Sequence, residues 1–399
     1  MTDATQPRMA RGTMLPAGIL VAALFALLAF APFASAAPDP VASGSTTVTL
    51  NNGFTKYLKT FGITTSKISP AKLKGSKATF TVTAGELDPT TGLGSVTLSG
   101  GLKFKAGKKS APVKGLVLDT TKKSLTGKVG GKKVKVATVA GFTFARNGFG
   151  VNLTIKKLKL TGSAASALNK KLGFAKGKPK PFIGGKLIAK STTETQPSTV
   201  AVLPTGSATL ALSASALEKL SKIGPGGAFK VQLAPVAPTT VTNPGPPPTV
   251  AFPIGGGTMS PFATAGTLQT LGGLKLVQNL EAVEAGSVTT LTMGNIWVDM
   301  AAKTASVEVI IENPKNAKAN LGNLGRASIA DINLTGATIV SDPIAHTVSV
   351  QNASATLQAV TAETLNQVFI NEIEKVFGPQ DKFAAGDPLG TFSFVAQTQ

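Results

Sequence analysis

FTVTAGELDPTTGLGSVTLSGGLKF (residues 80–104) returns in outline as FPIGGGTMSPFATAGTLQTLGGLKL (residues 252–276). Aligned without a gap, the two share Phe80 with Phe252, Gly85 with Gly257, Pro89 with Pro261 and Gly94 with Gly266. They also share Gly100-Gly101-Leu102-Lys103 with Gly272-Gly273-Leu274-Lys275. Most of these residues shape backbone rather than chemistry, since glycine admits positive φ and close approach and proline fixes a turn. The stretch reads as a β-hairpin kept in duplicate, and the chain as two copies of one module.

Both flanks of the hairpin repeat as well. Upstream, TVTLNNGFTKYLKTFG (residues 47–62) matches TLALSASALEKLSKIG (residues 209–224): a short strand, a polar break, then helical turns. Downstream, Leu168-Asn169 matches Leu365-Asn366 in a second helix, followed by Phe182 and Gly185 against Phe383 and Gly386. So long a period marks tandem domains rather than a solenoid, whose repeats run about 20–50 residues. The 399-residue length agrees, because a domain takes roughly 100–200 residues. The expected division is a signal peptide at 1–36, module one at 44–190 and module two at 197–395. Residues 179–204 read as the connection between modules, with 182–189 an alternative last strand of module one, and the proline-rich stretch 234–248 as a loop inside module two.

Composition points to a turn-rich β protein, with 15% charged residues, 43 Gly and 25 Pro. Strand-like alternation runs through residues 78–83, 94–105, 115–119, 132–139, 151–160, 305–311, 327–335 and 347–357. Helical spacing is confined to residues 53–61, 164–172, 214–223 and 361–377. Many strands, few helices and frequent turns predict a mainly β fold: two tandem β-sandwiches with short flanking helices.

The N-terminus reads as an address. Arg8 and Arg11 precede the uncharged apolar run 14–33, which ends in Ala34-Ser35-Ala36. A basic region, an apolar core and an A-x-A site make a secretory signal peptide, with cleavage expected after Ala36. Pro16, Pro32 and that site favour removal over retention as an anchor. No later segment has 18 uninterrupted apolar residues, so no transmembrane segment is expected in the mature chain. The expected location is secreted or on the cell envelope. The chain has no Cys, which excludes disulfides, thiolate metal sites and cysteine catalysis.

Charge divides the two copies. Residues 37–196 hold 27 Lys and 1 Arg against 5 acids, a net +23, whereas residues 197–399 hold 9 Lys and 1 Arg against 13 acids, a net −3. The lysines of module one lie in strands written KFKAGKK (103–109), KKVKV (132–136) and IKKLKL (155–160). Alternation places Lys103 with Lys105, and Lys157 with Lys159, on one face of each strand. Such a face either solvates the sheet and discourages edge aggregation or meets polyanions of the envelope. Nucleic acid is not an expected partner, because one Tyr and one Trp offer no stacking platform on an exported chain.

No catalytic constellation is visible. His346 is the only histidine, so module one can build neither a histidine triad nor a histidine metal site. Asp88-Pro89 reads as a turn starter. Gly100-Gly101 and Gly130-Gly131 lie in hairpins rather than between a strand and a helix, so they are not phosphate loops. An enzyme is not expected.

The strand, the helix with a tyrosine, and the run G-x-L-D-P-x-T-G-x-G-x-V-x-x-S-G-G-L at 85–102 resemble the HtaA domain, an exported module of high-GC Gram-positive bacteria often found in tandem. The resemblance covers residues 44–190 and, more weakly, 197–395. It implies a β-sandwich with small helices and haem binding in iron acquisition, with a tyrosine on the first helix as axial ligand and a histidine assisting. The matching tyrosine is Tyr57, on a helical stripe with Phe54, Leu58 and Phe61. The assisting position falls near Gly107-Lys108, where no histidine stands, and the second copy has Lys219 at the tyrosine position.

Two functions follow as expectations. One is a non-catalytic cell-surface protein that binds haem or another small ligand for uptake, receiving it from or handing it to a haem-transfer protein. The other is a structural or adhesive envelope protein that holds anionic wall polymers through Lys103, Lys105, Lys157 and Lys159.

Overall fold

A computed structural model describes residues 38–399 apart from 175–178, 246 and 318. The expected signal peptide lies outside the described residues. Module one contributes β1 (Asp39–Leu50), β2 (Ile63–Ile68), β3 (Lys72–Lys74), β4 (Lys77–Leu87), β5 (Gly94–Ala106), β6 (Lys109–Asp119), β7 (Ser124–Val129), β8 (Lys132–Asn147), β9 (Gly150–Leu160) and β10 (Leu187–Pro197). Helices α1 (Asn52–Thr60) and α2 (Gly162–Leu172) interrupt the series after β1 and β9.

The sheet runs β5-β6-β7-β8-β9-β10-β1-β4 and closes where β4 pairs back with β5, Thr81 opposite Ser99 through Leu87 opposite Gly94. The result is an eight-strand barrel rather than the expected sandwich. Sandwich and barrel strands share the same inward-outward alternation, and only the pairing of the outer strands distinguishes them.

Module two repeats this circuit. Its strands are β11 (Val200–Leu212), β12 (Val231–Val236), β13 (Thr240–Asn243), β14 (Thr249–Met259), β15 (Gly266–Thr270), β16 (Gly273–Asn279), β17 (Val288–Asp299) and β18 (Thr304–Glu312). They continue with β19 (Gly322–Asn333), β20 (Thr338–Asp342), β21 (Thr347–Leu357) and β22 (Pro388–Thr398). Ring order is β17-β15-β14-β11-β22-β21-β19-β18, closed by β18 pairing with β17. Helix α3 (Ala214–Ser221) follows β11, and a helical run of α4 (Ala359–Leu365), a π turn (Asn366–Ile370) and α5 (Asn371–Phe377) precedes β22.

The shared Gly-Gly pair has one job in both copies. In module one, β5 pairs with β4 up to Ser99 and with β2 from Gly101, so a single strand turns a corner at Gly100, whose φ is 88°. In module two the same corner, at Gly272 with φ 78°, splits the strand into β15 and β16, paired with β14 and β12. A Cβ on Gly101 or Gly273 would run into the neighbouring strand's carbonyl, of Val113 or Met293. Phe80 and Phe252 are fully buried beside this corner, and each such burial contributes roughly 2–3 kcal/mol. Asp88 starts the β4–β5 turn as expected, its Oδ1 accepting from the Thr90 amide at 2.7 Å and the Thr90 hydroxyl at 2.6 Å.

Elsewhere pairing overrides the local reading. The stretch 179–204, read as a connection, holds β10 and the start of β11, leaving only Ser198 and Thr199 between the two sheets' strands. The proline-rich 234–248 carries the end of β12 and all of β13. No described helix is long and apolar enough to cross a membrane.

Candidate functional site

Helix α1 starts because Asn51 caps it, its Oδ1 accepting from the Phe54 amide at 3.0 Å. Phe54 and Leu58, one turn apart, are buried against the barrel end. Tyr57 lies beside that stripe rather than under it, 40% exposed, with its ring edge-on to Phe61 at 5.2 Å between centroids. Its hydroxyl donates to the Lys180 carbonyl at 3.5 Å, a weak contact.

The opposite wall is held by α2. Thr161 caps this helix (Ala164 amide to Oγ1, 3.1 Å), and Gly173 ends it with φ 82°. On its buried face Asn169 clamps Phe182: Nδ2 donates to the Phe182 carbonyl at 2.8 Å, and Oδ1 accepts from its amide at 3.1 Å. Phe182, fully buried, packs edge-on to Phe54 and Phe104 at 6.1 and 5.3 Å. The clamp fixes residues 180–187 across from α1. Between them lies a cleft of about 520 Å³, lined by Asn51, Gly53, Phe54, Tyr57, Pro181, Ile183, Lys186 and Leu187. That volume is in the ligand-site range of about 300–1,000 Å³. Its walls are mostly apolar, its one phenol is Tyr57, and its one charged liner is cationic.

The same clamp recurs in module two. Asn366 donates to the Phe383 carbonyl at 2.9 Å and accepts from its amide at 2.8 Å. This explains why Asn and Phe are retained at matching places in both copies. In the alignment of the repeat, Lys219 stands at the Tyr57 position, and Asp381 and Asp387 stand at those of Lys180 and Lys186 when Phe383 is matched with Phe182. Lys219 Nζ lies 2.9 Å from Asp387, 3.6 Å from Asp381 and 2.8 Å from the Lys382 carbonyl, and it sits over the Phe383 ring. Its hydrogen bond to Asp387 holds the ammonium above its ordinary pKa. Asp387 is pushed up by burial, but the Ala384 amide and Lys219 outweigh this and hold it below the usual carboxylate range.

The strand lysines are exposed as alternation predicts, but they form no common face. Lys103 and Lys105 are on β5, and Lys157 and Lys159 are on β9. Three strands lie between β5 and β9 in either direction around the ring, so the two pairs point to opposite sides.

His346 is far from Tyr57's cleft in role as well as in sequence. It occupies the β20–β21 turn, with φ 52°, and its Nδ1 accepts from Arg146 at 3.0 Å; Arg146 also donates to the Gln399 carbonyl at 2.7 Å. Burial, then the Arg146 charge, lowers the His346 pKa. Among the described residues no three of His, Asp and Glu gather to hold a metal ion.

Sequence reasoning found Tyr57 and missed its partners. Pro181, Ile183, Lys186 and Leu187 come from more than 120 residues away, as the Tyr57–Lys180 separation of 123 shows. One signal was available: Lys186 and Asp387 each follow the repeated Gly185/Gly386, so a charge reversal at one place in the repeat was readable.

No protein-family profile matches the sequence, and no curated protein matches it. Among solved structures, the chain is similar to HtaA and HtaB domains. The C-terminal domain of HtaA from Corynebacterium glutamicum is 13% identical, over 39% of this chain and 98% of that one, with a TM-score of 0.31. The heme-binding protein HtaB from the same organism is 13% identical, over 50% and 95%, with a TM-score of 0.30. The N-terminal domain of HtaA is 12% identical, over 49% and 99%, with a TM-score of 0.31. These neighbours carry the name of the family that the HtaA-like hairpin motif resembles.

Proposed function

We propose that this is an exported, non-catalytic binding protein of the cell surface whose module one takes up haem in the cleft under Tyr57. The observation that carries this reading is the position of Tyr57. The chain's only tyrosine stands half-exposed at the mouth of an apolar cleft, with its hydroxyl tied only weakly. The resemblance of the sequence motif to the HtaA domain supports the reading, because it implies a haem-ligating tyrosine on the first helix.

The residues fit the ligand's chemistry. Ferric haem brings a hard Lewis-acidic iron, a flat apolar ring and two carboxylates. A phenolate oxygen suits ferric iron. Phe54, Pro181, Ile183 and Leu187 offer the ring apolar contact, while Lys186 and Lys180 supply positive charge at the rim. No histidine stands near Tyr57 to support the phenolate, so binding weaker than in a tyrosine–histidine site is expected. Module two is not assigned a haem site, because Lys219 at the equivalent position is already engaged by two carboxylates.

Haemin titration of the whole mature chain tests this, wild type against Tyr57→Phe, with His346→Ala as control. A tyrosinate-to-iron charge-transfer band lost only in Tyr57→Phe is the expected result. Identical spectra for wild type and Tyr57→Phe would overturn the reading.

A further inference from the structure

A second cleft, of about 760 Å³, lies on the other side of residues 180–184, between them and α2. Ile183 lines both clefts, but their characters differ. The second is lined by Lys109, Lys170 and Lys180, together with Ser166, Asn169 and Phe174 among others, and contains no acidic side chain. Lys109 comes from the start of β6, Lys170 from the last turn of α2 and Lys180 from the clamped segment, so three separate elements bring lysines to one concavity. The Lys109 ammonium lies against Gly173, where any Cβ would collide with it.

Module two shows that this is not a general property of the fold. Beside its equivalent helix lies a cleft of about 470 Å³ lined by Gln367, Asn371, Glu372, Glu374, Lys375 and Lys382. There the charges cancel internally: Lys375 pairs with Glu372 at 2.6 Å, and Lys382 with Glu374 at 2.5 Å. In module one, the only ion pair among the described residues is Lys122–Asp119, away from the cleft. Three uncompensated cations in one depression repel one another, and an anionic partner relieves that repulsion.

We infer that the cleft between α2 and residues 180–184 of module one binds a linear polyanion, one with an anionic group on each repeat unit. All three cations are lysines, which act as point charges rather than as the planar fork of arginine. The site therefore selects closely spaced negative charge and not the shape of one group, which favours a polymer over a single phosphate or carboxylate. It shares Ile183 with the Tyr57 cleft and Lys180 with that cleft's rim, but takes Lys109 and Lys170 from outside it, so Tyr57→Phe separates the two sites.

The test uses the whole mature chain and poly(glycerol phosphate), with polygalacturonate as the carboxylate arm and inorganic phosphate as competitor. The variant Lys109→Gln/Lys170→Gln/Lys180→Gln is set against Lys103→Gln/Lys157→Gln/Lys159→Gln, which removes the same charge from the outer strands. The cleft variant should bind the polymer at least about tenfold more weakly, and its slope of log affinity against log salt should fall by about two to three. The strand variant should stay within about twofold, and Tyr57→Phe should bind polymer like wild type. Circular dichroism should show both triple variants folded; a cleft variant that fails this check is replaced by the single Lys170→Gln, expected to lower the slope by about one. Equal losses in the two triple variants would show diffuse attraction by net charge and overturn the site. Competition by inorganic phosphate as effective per charge as the polymer would overturn the polymer assignment. Preference between the phosphate and carboxylate arms identifies the polymer's chemistry.

Discussion

At one place in the fold the two barrels carry opposite chemistry. Module one sets Tyr57 against Lys180 and Lys186, whereas module two sets Lys219 against Asp381 and Asp387. The frame around them is the same, with an asparagine on the second helix gripping the backbone of a buried phenylalanine. The lesson is that the clamp and the corner glycines specify architecture, while three positions on that frame decide whether the cleft offers charge to a ligand or satisfies it internally. A duplicated module can thus reverse the charge at one place without changing its topology.

The comparison is broken most severely at the clamp. Asn169→Ala removes both hydrogen bonds to a buried backbone and should cost about 2–4 kcal/mol. Asn366→Ala, whose side chain is only half-buried, should cost about 1–2 kcal/mol less. Urea unfolding measures both, and an equal or negligible cost in the two would show that the clamp does not hold the frame.

Two acids with opposite shifts separate the modules next. Burial pushes the Asp39 carboxyl up to about 6 from 3.8, against an Ala201 amide bond and the Arg146 charge that lower it. Its folded form keeps the proton where the unfolded form has lost it, so stability falls as pH rises from about 4 to 6 and the deficit persists above. Asp39→Asn should therefore add about 1–3 kcal/mol at pH 8 and little at pH 4. Asp387 behaves in reverse, since its depressed pKa supplies stability that is lost only as pH falls below the usual carboxylate range. A gain from Asp39→Asn at pH 4 equal to that at pH 8 would contradict this.

Charge at the cleft rim is the next contrast to sharpen. Lys186→Asp, which installs module two's residue type in module one, should weaken haemin binding about tenfold at low salt and less at high salt. Asp387→Lys should leave haemin affinity unchanged. If haemin binding does not respond to Lys186→Asp, the rim lysine does not face the ligand.

The smallest effect is expected from Lys219→Ala. Its pair with Asp387 is part-buried and its pair with Asp381 reaches solvent, so the cost should stay near about 1 kcal/mol and shrink with added salt. Thermal melts in low and high salt would show it, and a cost of several kcal/mol would make Lys219 a structural element rather than a neutralised site residue.

Much of this was readable from local chemistry. The duplicated hairpin, the Asp88 turn, the short helices near 53–61 and 164–172 and the charge imbalance are short-range properties, each set within a few residues. Tyr57 entered through the resemblance to the HtaA domain, and as the only tyrosine of a chain without cysteine it had no rival once haem was considered. Tertiary structure alone decided the rest. Alternation says which side chains face inward but not which strand lies alongside, so closure into barrels depended on pairings such as Thr46 with Thr193, 147 residues apart. For the same reason two lysine pairs that look alike in sequence end on opposite sides of the barrel. A wall 123 residues from Tyr57 completes its cleft, because the Asn169 clamp and the burial of Phe182 bring distant chain together where no local periodicity records it.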